Sequence, residues 1–147
     1  MPLAITGGLM EGAPLETLLA EVGVTRSSVI RITGPSALGA LLWFCRHDFD
    51  EVGYVRPGDG APHESPDAII VAHTCNELEL KRLLAVGRQV KPGGVFLFRC
   101  RVPGQSTLLA IDWLLGQAGF EVDRRIVSHG RALVVARRRA AQMLRAA

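Results

Sequence analysis

The side chains best able to do chemistry fall in two stretches. His73-Thr74-Cys75-Asn76 follows the apolar run 68–72. Open α/β sheets place reacting groups at strand carboxyl ends, so His73 there can take a proton from a substrate nucleophile. His73 is the candidate catalytic base, and the competing assignment is a loop histidine beside a helix-capping Asn76. The second stretch is Gly34-Pro35-Ser36-Ala37-Leu38-Gly39. It has the Gly-x-Ser-x-x-Gly spacing of a loop that lets backbone N–H groups approach a phosphate, with Ser36 where the approach should be closest. Other reactive types point to structure. Cys75 has no electropositive neighbour to activate it, and Cys45 and Cys100, on a helix and a strand, are expected in the core. Trp43 and Trp113 are expected to pack, and His63 and His129 to be solvated.

These residues need elements to hold them. Pro14, Leu15, Leu18, Leu19 and Val22 have helical spacing with Gly23 as the stop. Residues 28–33 form a β-branched strand, and 36–47 a helix carrying Leu38, Leu41, Leu42 and Cys45. A second strand spans 50–56, followed by the proline- and glycine-rich loop Pro57 to Pro66. Ala68-Ile69-Ile70-Val71-Ala72 and Val95-Phe96-Leu97-Phe98 are apolar throughout, as strands buried on both faces must be. Between them Asn76 caps a helix with Leu80, Leu83, Leu84 and Val90, ended by Pro92-Gly93-Gly94. Ser106 is expected to cap a helix bearing Leu109, Trp113 and Leu115, with Gly119 at its end. Phe120, Val122 and Ile126 predict one face of a strand, turned at Ser128-His129-Gly130 into 132–135. Alternating β and α units give a three-layer α/β fold: a mostly parallel sheet of about six strands with a C-terminal antiparallel hairpin.

With 147 residues, 48% of them apolar and 21% charged, the chain suits one packed domain and neither disorder nor a second domain. That domain is expected over residues 1–138, with a basic tail, a frayed helix, at 139–147. No apolar run approaches a membrane span, and residues 1–12 lack the features of a signal peptide. Three widely spaced cysteines fit neither a disulfide framework nor a metal site, which predicts a reducing cytoplasm and no metal. The net charge is +3, and the 17 basic residues include only two lysines, Lys81 and Lys91. GC-rich, bacterial coding accounts for that bias. The cluster Arg137-Arg138-Arg139, with Arg145 beyond it, reads as a solvated strand end. No interleaved aromatics would stack bases, so nucleic acid is not an expected partner.

The residues Pro66-Asp67-Ala68-Ile69-Ile70-Val71-Ala72-His73, then Leu83 to Phe98 with Arg88, Lys91-Pro92-Gly93-Gly94, resemble the fourth-to-fifth-strand region of class I S-adenosylmethionine-dependent methyltransferases. Leu114-Leu115-Gly116-Gln117-Ala118-Gly119-Phe120 is similar to that family's late helix running into its sixth strand. The resemblance implies a Rossmann-like fold with S-adenosylmethionine as cofactor. It would be held by Thr33, Gly34, Ser36, Gly39 and Asp59, with His73 near the transferred methyl group. Three departures accompany it. Arg31 stands where the family's first strand carries an acid, and like charge beside a sulfonium costs about 1–4 kcal/mol at 4 Å. Tyr54-Val55-Arg56 stands where a ribose-binding acid ends the second strand, leaving Asp59 as the nearby substitute. Between the second and fourth strands the family needs about 40 residues for a helix, a strand and a helix, and Pro57 to Pro66 is too short for them. The third strand and its flanking helices are therefore missing.

These departures predict a methyltransferase-like module without catalysis, a scaffold or regulatory subunit in a homo- or hetero-oligomer. Its self- or partner contact is expected near residues 50–66, and a small-molecule ligand remains open. The alternatives are a small methyltransferase with a shortened or partner-completed site, and an NADP-binding Rossmann protein using Gly34 to Gly39 with Arg56 on the 2′-phosphate.

Overall fold

A strand that lies between two layers of helices has no solvent face, and this chain supplies such strands at the middle of its sheet. In the computed structural model, which describes residues 15–56 and 65–140, the strands are β1 (Val29–Thr33), β2 (Glu51–Tyr54), β3 (Ala68–Cys75), β4 (Val95–Arg101), β5 (Phe120–Ser128) and β6 (Arg131–Arg138). The helices are α1 (Leu15–Glu21), α2 (Ala37–Arg46), α3 (Glu77–Gly87) and α4 (Gln105–Gln117). Asp59, His63, Arg145 and most of the basic tail lie outside the described residues. The sheet order is β2-β1-β3-β4-β6-β5, parallel from β2 to β4, with β6 antiparallel between β4 and β5. The predicted fold class holds: a three-layer, Rossmann-like α/β sheet of six strands closed by a hairpin. Among the described residues no strand lies outside β2, so β2 is an edge.

Strand alternation sorts the core into two halves. Ile30, Ile32, Ile70, Leu97, Leu133 and Val135 point to α1 and α2, which bring Leu18, Leu19, Ala40 and Phe44. Ile69, Val71, Phe96, Phe98, Val134 and Ala136 point to α3 and α4, which bring Leu80, Leu83, Ile111 and Leu115. The predicted cap of α3 is present as a reciprocal box. The Asn76 side chain accepts from the Glu79 N–H at 2.8 Å, and Glu79 Oε1 accepts from the Asn76 N–H at 3.0 Å. Gly119, at φ +88°, follows α4 as expected.

Several local readings are corrected. α2 buries Ala37, Ala40 and Phe44, leaving Leu38 71% exposed and Leu42 and Cys45 at the surface. The small residues let the helix approach the sheet closely, which turns the leucines outward. α4 begins after Gly104, so Ser106 lies inside the helix and caps nothing. Its core face is Leu108, Ile111 and Leu115, while Trp113 is 64% exposed and Leu109 also faces out. α3 stops at Gly87, before Pro92, and Val90 is buried in the turn that follows. A bulge between Val122 and Arg124 reverses the alternation of β5, so Val122 pairs with Ala136 on one face and Ile126 with Leu133 on the other. The arginine cluster is largely spent on structure. The Arg137 guanidinium donates to Asp123 at 2.6 Å and to the carbonyls of Gly93 and Val22 at 2.8 Å, and Arg138 donates to the Val90 carbonyl.

At the amino edge Asp67 joins three strands. Its side chain accepts from the Val29 N–H at 2.7 Å and pairs with Lys91, and its carbonyl accepts from the Val95 N–H at 3.0 Å. Burial pushes the Asp67 carboxyl up, but Lys91 and the Val29 N–H together hold it below its ordinary value. A carboxyl depressed on folding adds stability above its unfolded value, and that stability is lost as pH falls through the folded value. Asp67→Asn should therefore cost about 1–3 kcal/mol near neutrality. Urea denaturation of both proteins should show the difference shrinking below about pH 4.

Candidate functional site

The chain turns from β1 toward β2 on one side and places β3 on the other, so the carboxyl ends of β1 and β3 form a topological switch point. Crevices for ligands in open α/β sheets open at such points. Four predicted site residues, Thr33, Gly34, Ser36 and His73, meet at this edge, with Gly39 one turn into α2.

Thr33 ends β1, is fully buried, and faces the α3/α4 side with its Cα partner Val71. Its Oγ1 has no hydrogen-bond partner among the described residues. Gly34 follows at φ +106°, a conformation that side chains rarely adopt. A Cβ on Gly34 would stand 2.6 Å from His73 Nδ1. Ser36 occupies the cap position of α2 but makes no side-chain capping bond, and the Ala37 N–H donates to the Gly34 carbonyl at 3.3 Å. Gly39 lies within the helix, so the predicted glycine loop is three residues, Gly34 to Ser36, and then helix.

His73 belongs to β3, which runs on through Cys75 where the sequence predicts a loop after Ala72. The extension carries a bulge, as the β3–β4 register shifts between Ile70 and Thr74. His73 Nδ1 is buried and unpartnered against Gly34, and Nε2 meets Glu79 Oε2 at 3.3 Å. The Asn76 N–H first, and then His73 and Arg101, hold the Glu79 carboxyl below its ordinary value. His73 is thus fixed between the loop after β1 and the start of α3, with its unpartnered nitrogen behind Gly34. Glu79 was invisible as its partner in the sequence, because six residues across a strand end and a cap have no periodicity. Its one signal was the Asn-x-x-Glu capping pattern.

Cys75 and Cys100 are Cα partners on β3 and β4, both buried. A hydrogen bond to Cys100, and then burial, push the Cys75 thiol up, which favours its protonated form. Arg31 faces the same side as Ile69, its Cα partner. Its guanidinium lies over Gly53 of β2, and Nη1 donates to the Ile30 carbonyl at 2.9 Å. A cleft of about 230 Å³ opens at the opposite, amino edge, beside Val22, Ser28, Asp67, Lys91, Gly94 and Arg137. Asp67, Lys91 and Arg137 there are already paired, as described above, and the cleft is remote from the switch point. Among the described residues no cluster of His, Cys, Asp and Glu could hold a metal ion, and no helix is long and apolar enough to cross a membrane.

The close seating of Gly34 on His73 generates a mutational test. Gly34→Ala should cost about 2–4 kcal/mol, the sum of strain at positive φ and overpacking against the imidazole. In a His73→Ser background only the strain should remain, so urea denaturation of the double-mutant cycle should show clear non-additivity.

No protein-family model matches the chain, and no curated protein matches it in sequence. Solved structures do match in shape. A SAM-dependent methyltransferase from Aquifex aeolicus aligns with TM-score 0.64 at 16% identity, covering 93% of this chain and 98% of that one. A putative RNA methyltransferase from Pyrococcus horikoshii aligns with TM-score 0.60 at 10% identity, covering 94% and 96%. An O-methyltransferase family 2 protein from Planctomyces limnophilus, in complex with apigenin, aligns with TM-score 0.56 at 15% identity. The match covers 90% of this chain but spans only 48% of that protein. The chain has the Rossmann-like fold of class I S-adenosylmethionine-dependent methyltransferases.

Proposed function

We propose that the chain is a methyltransferase-shaped binding module, a cytoplasmic scaffold or regulatory subunit that acts in an oligomer and transfers no methyl group itself. The observation that carries this reading is the charge at the carboxyl ends of β1 and β2. Among the described residues, β1 runs out through Thr33-Gly34-Pro35-Ser36 and β2 through Val55-Arg56, with no carboxylate at either end. S-adenosylmethionine brings a sulfonium and an ammonium, which need negative charge or acceptors, and a ribose that pairs well with a carboxylate. The edge strand β2 supports the oligomer. Among the described residues it is paired with a strand on one side only, and its Tyr54 is exposed. A strand of a second copy or another protein can add there through backbone bonds.

A second reading, a small methyltransferase with a shortened or partner-completed site, has its own support. The orphaned Thr33 Oγ1 and the side-chain-free approach at Gly34 leave a hydroxyl and an open backbone at the position where the fold takes a ligand. Thermal denaturation with S-adenosylmethionine, S-adenosylhomocysteine, NADP or buffer separates the readings. The expected result is no shift with any of them. A ligand at a hundredfold its Kd adds about 2.7 kcal/mol, several degrees at this size. Such a shift with S-adenosylhomocysteine would overturn the non-catalytic reading in favour of the second, and a shift with NADP alone would favour a nucleotide-binding Rossmann protein. Light scattering at micromolar concentration should give a mass above one chain. A monomer would remove self-association and leave only a different partner for residues 50–66.

A further inference from the structure

Arg101 and Arg131 are Cα partners at the last step of the β4–β6 ladder. Directly opposed side chains on antiparallel strands have Cβ atoms about 4.5–5.5 Å apart, and like charges there are destabilising. Both residues are exposed, and among the described residues neither forms an ion pair. The neighbouring arginines of the same hairpin are treated differently. Arg124 meets Glu21 at 3.1 Å, Arg125 meets Asp112 at 2.7 Å and Arg137 meets Asp123 at 2.6 Å. At the carboxyl edge of the hairpin the two arginines are opposed with no ion-pair partner among the described residues; Glu79, whose carboxyl Arg101 helps to hold down, is itself bonded to the Asn76 N–H and to His73.

The frame beneath them is rigid. Arg101 and Arg131 continue the face of Leu97 and Leu133, which are buried under α1 and α2. The Val102 N–H donates to the Gly130 carbonyl at 2.7 Å, tying the end of β4 to the hairpin turn. His129 and Gly130 hold that turn at φ 53° and 74°. The side chains therefore project from fixed backbone, so a ligand has only the side chains to order, and a planar fork loses less freedom per hydrogen bond than a flexible ammonium. They also lie on the same sheet edge as Thr33, Gly34 and His73, the edge at which this fold takes its ligands.

We propose that Arg101 and Arg131 form a binding site for a phosphomonoester group on a small molecule. Two guanidiniums match a dianion, which a terminal phosphate supplies and a single carboxylate does not. A planar fork on each side can donate pairs of N–H bonds to its oxygens. The site is separate from the Gly34 loop and stands whether or not that loop binds an adenosyl ligand.

The test is a titration of the full chain with inorganic phosphate, pyrophosphate and glycerol phosphate, with sodium chloride at matched ionic strength as the blank. Backbone amide shifts at Arg101 and Arg131, together with thermal stability, are the readouts. The expected result is saturable binding of the phosphates centred on these residues. Arg101→Ala or Arg131→Ala should weaken it about tenfold or more, Arg101→Lys less, and Arg82→Ala on α3 not at all. Arg131→Ala relieves a repulsion, so its stability without ligand should equal or exceed that of the parent, whereas Arg101→Ala also gives up the attraction to Glu79. Saturation by free phosphate but not by glycerol phosphate would overturn the ester in favour of the inorganic anion. Shifts that rise without saturating, or that spread equally over all exposed arginines, would overturn the site. Binding only to a single-stranded oligonucleotide, with steep salt dependence, would replace it with a nucleic-acid surface.

Discussion

Asp67 sits where β1, β3 and β4 begin, and its backbone and side chain bond to all three. Parallel strands carry no short turn to set their register, so register must come from the core pattern and from contacts at strand ends. The Val29 N–H on the Asp67 carboxylate, the Val95 N–H on its carbonyl and the Lys91 pair together fix that register at the amino edge. The fit is close enough to require glycine at position 94, where a Cβ would stand 2.9 Å from the Asp67 carbonyl oxygen. Arg137 extends the same clamp across to α1 and to the turn before β4. The Gln89 Oε1 is left without a partner near that edge, whereas the opposite edge holds Thr33 Oγ1, His73 Nδ1 and the opposed arginines together. The division of labour between the two edges is the structural basis for placing any ligand at the carboxyl side.

The sheet was legible in the sequence because its central strands have no solvent face. Ala68 to Ala72 and Val95 to Phe98 had to be buried on both sides, and a parallel sheet between helices followed. The Asn76 cap and the Gly119 stop were legible because each is a local device with one dominant cause. The faces of α2 and α4 were not. α4 carries Leu108, Leu109, Ile111, Trp113, Leu114 and Leu115, so apolar residues surround much of it and periodicity selects no single stripe. On α2 the side chains that touch the sheet include alanines, and the larger leucines were the wrong guide. The bulge in β5 had no sequence signal and reversed every orientation beyond it.

The candidate site was legible by position and only partly by chemistry. Strand ends placed Thr33, Gly34 and His73 together without any contact being known. What the residues do there depends on non-local neighbours. Gly34 faces His73 across two strands, Glu79 reaches back over a helix cap, and Arg101 meets Arg131 from thirty residues away in the sequence. Sequence spacing cannot express such pairings, since each is set by strand order and register.

Arg31 shows how the shortened crossover and the altered site are one fact. In a sheet with a strand and helix beyond β2, the α3/α4 face of β1 and β2 would be covered by apolar side chains. Here the segment between β2 and β3 is too short to supply them. Val55 turns onto that face and is buried. The Arg31 side chain, lying over Gly53, covers the sheet beside it with its stem while its head bonds the Ile30 carbonyl. Gly53 is what leaves room for it. The residue that the family resemblance places at a cofactor-binding acid thus serves as sheet cover, and restoring an acid at 31 would expose the surface that the arginine stem shields. The short segment between β2 and β3 and the arginine at position 31 therefore go together. Position 31 is thus committed to structure, and ligand chemistry on β1 is left to its last residue, Thr33, and to Gly34 beyond it.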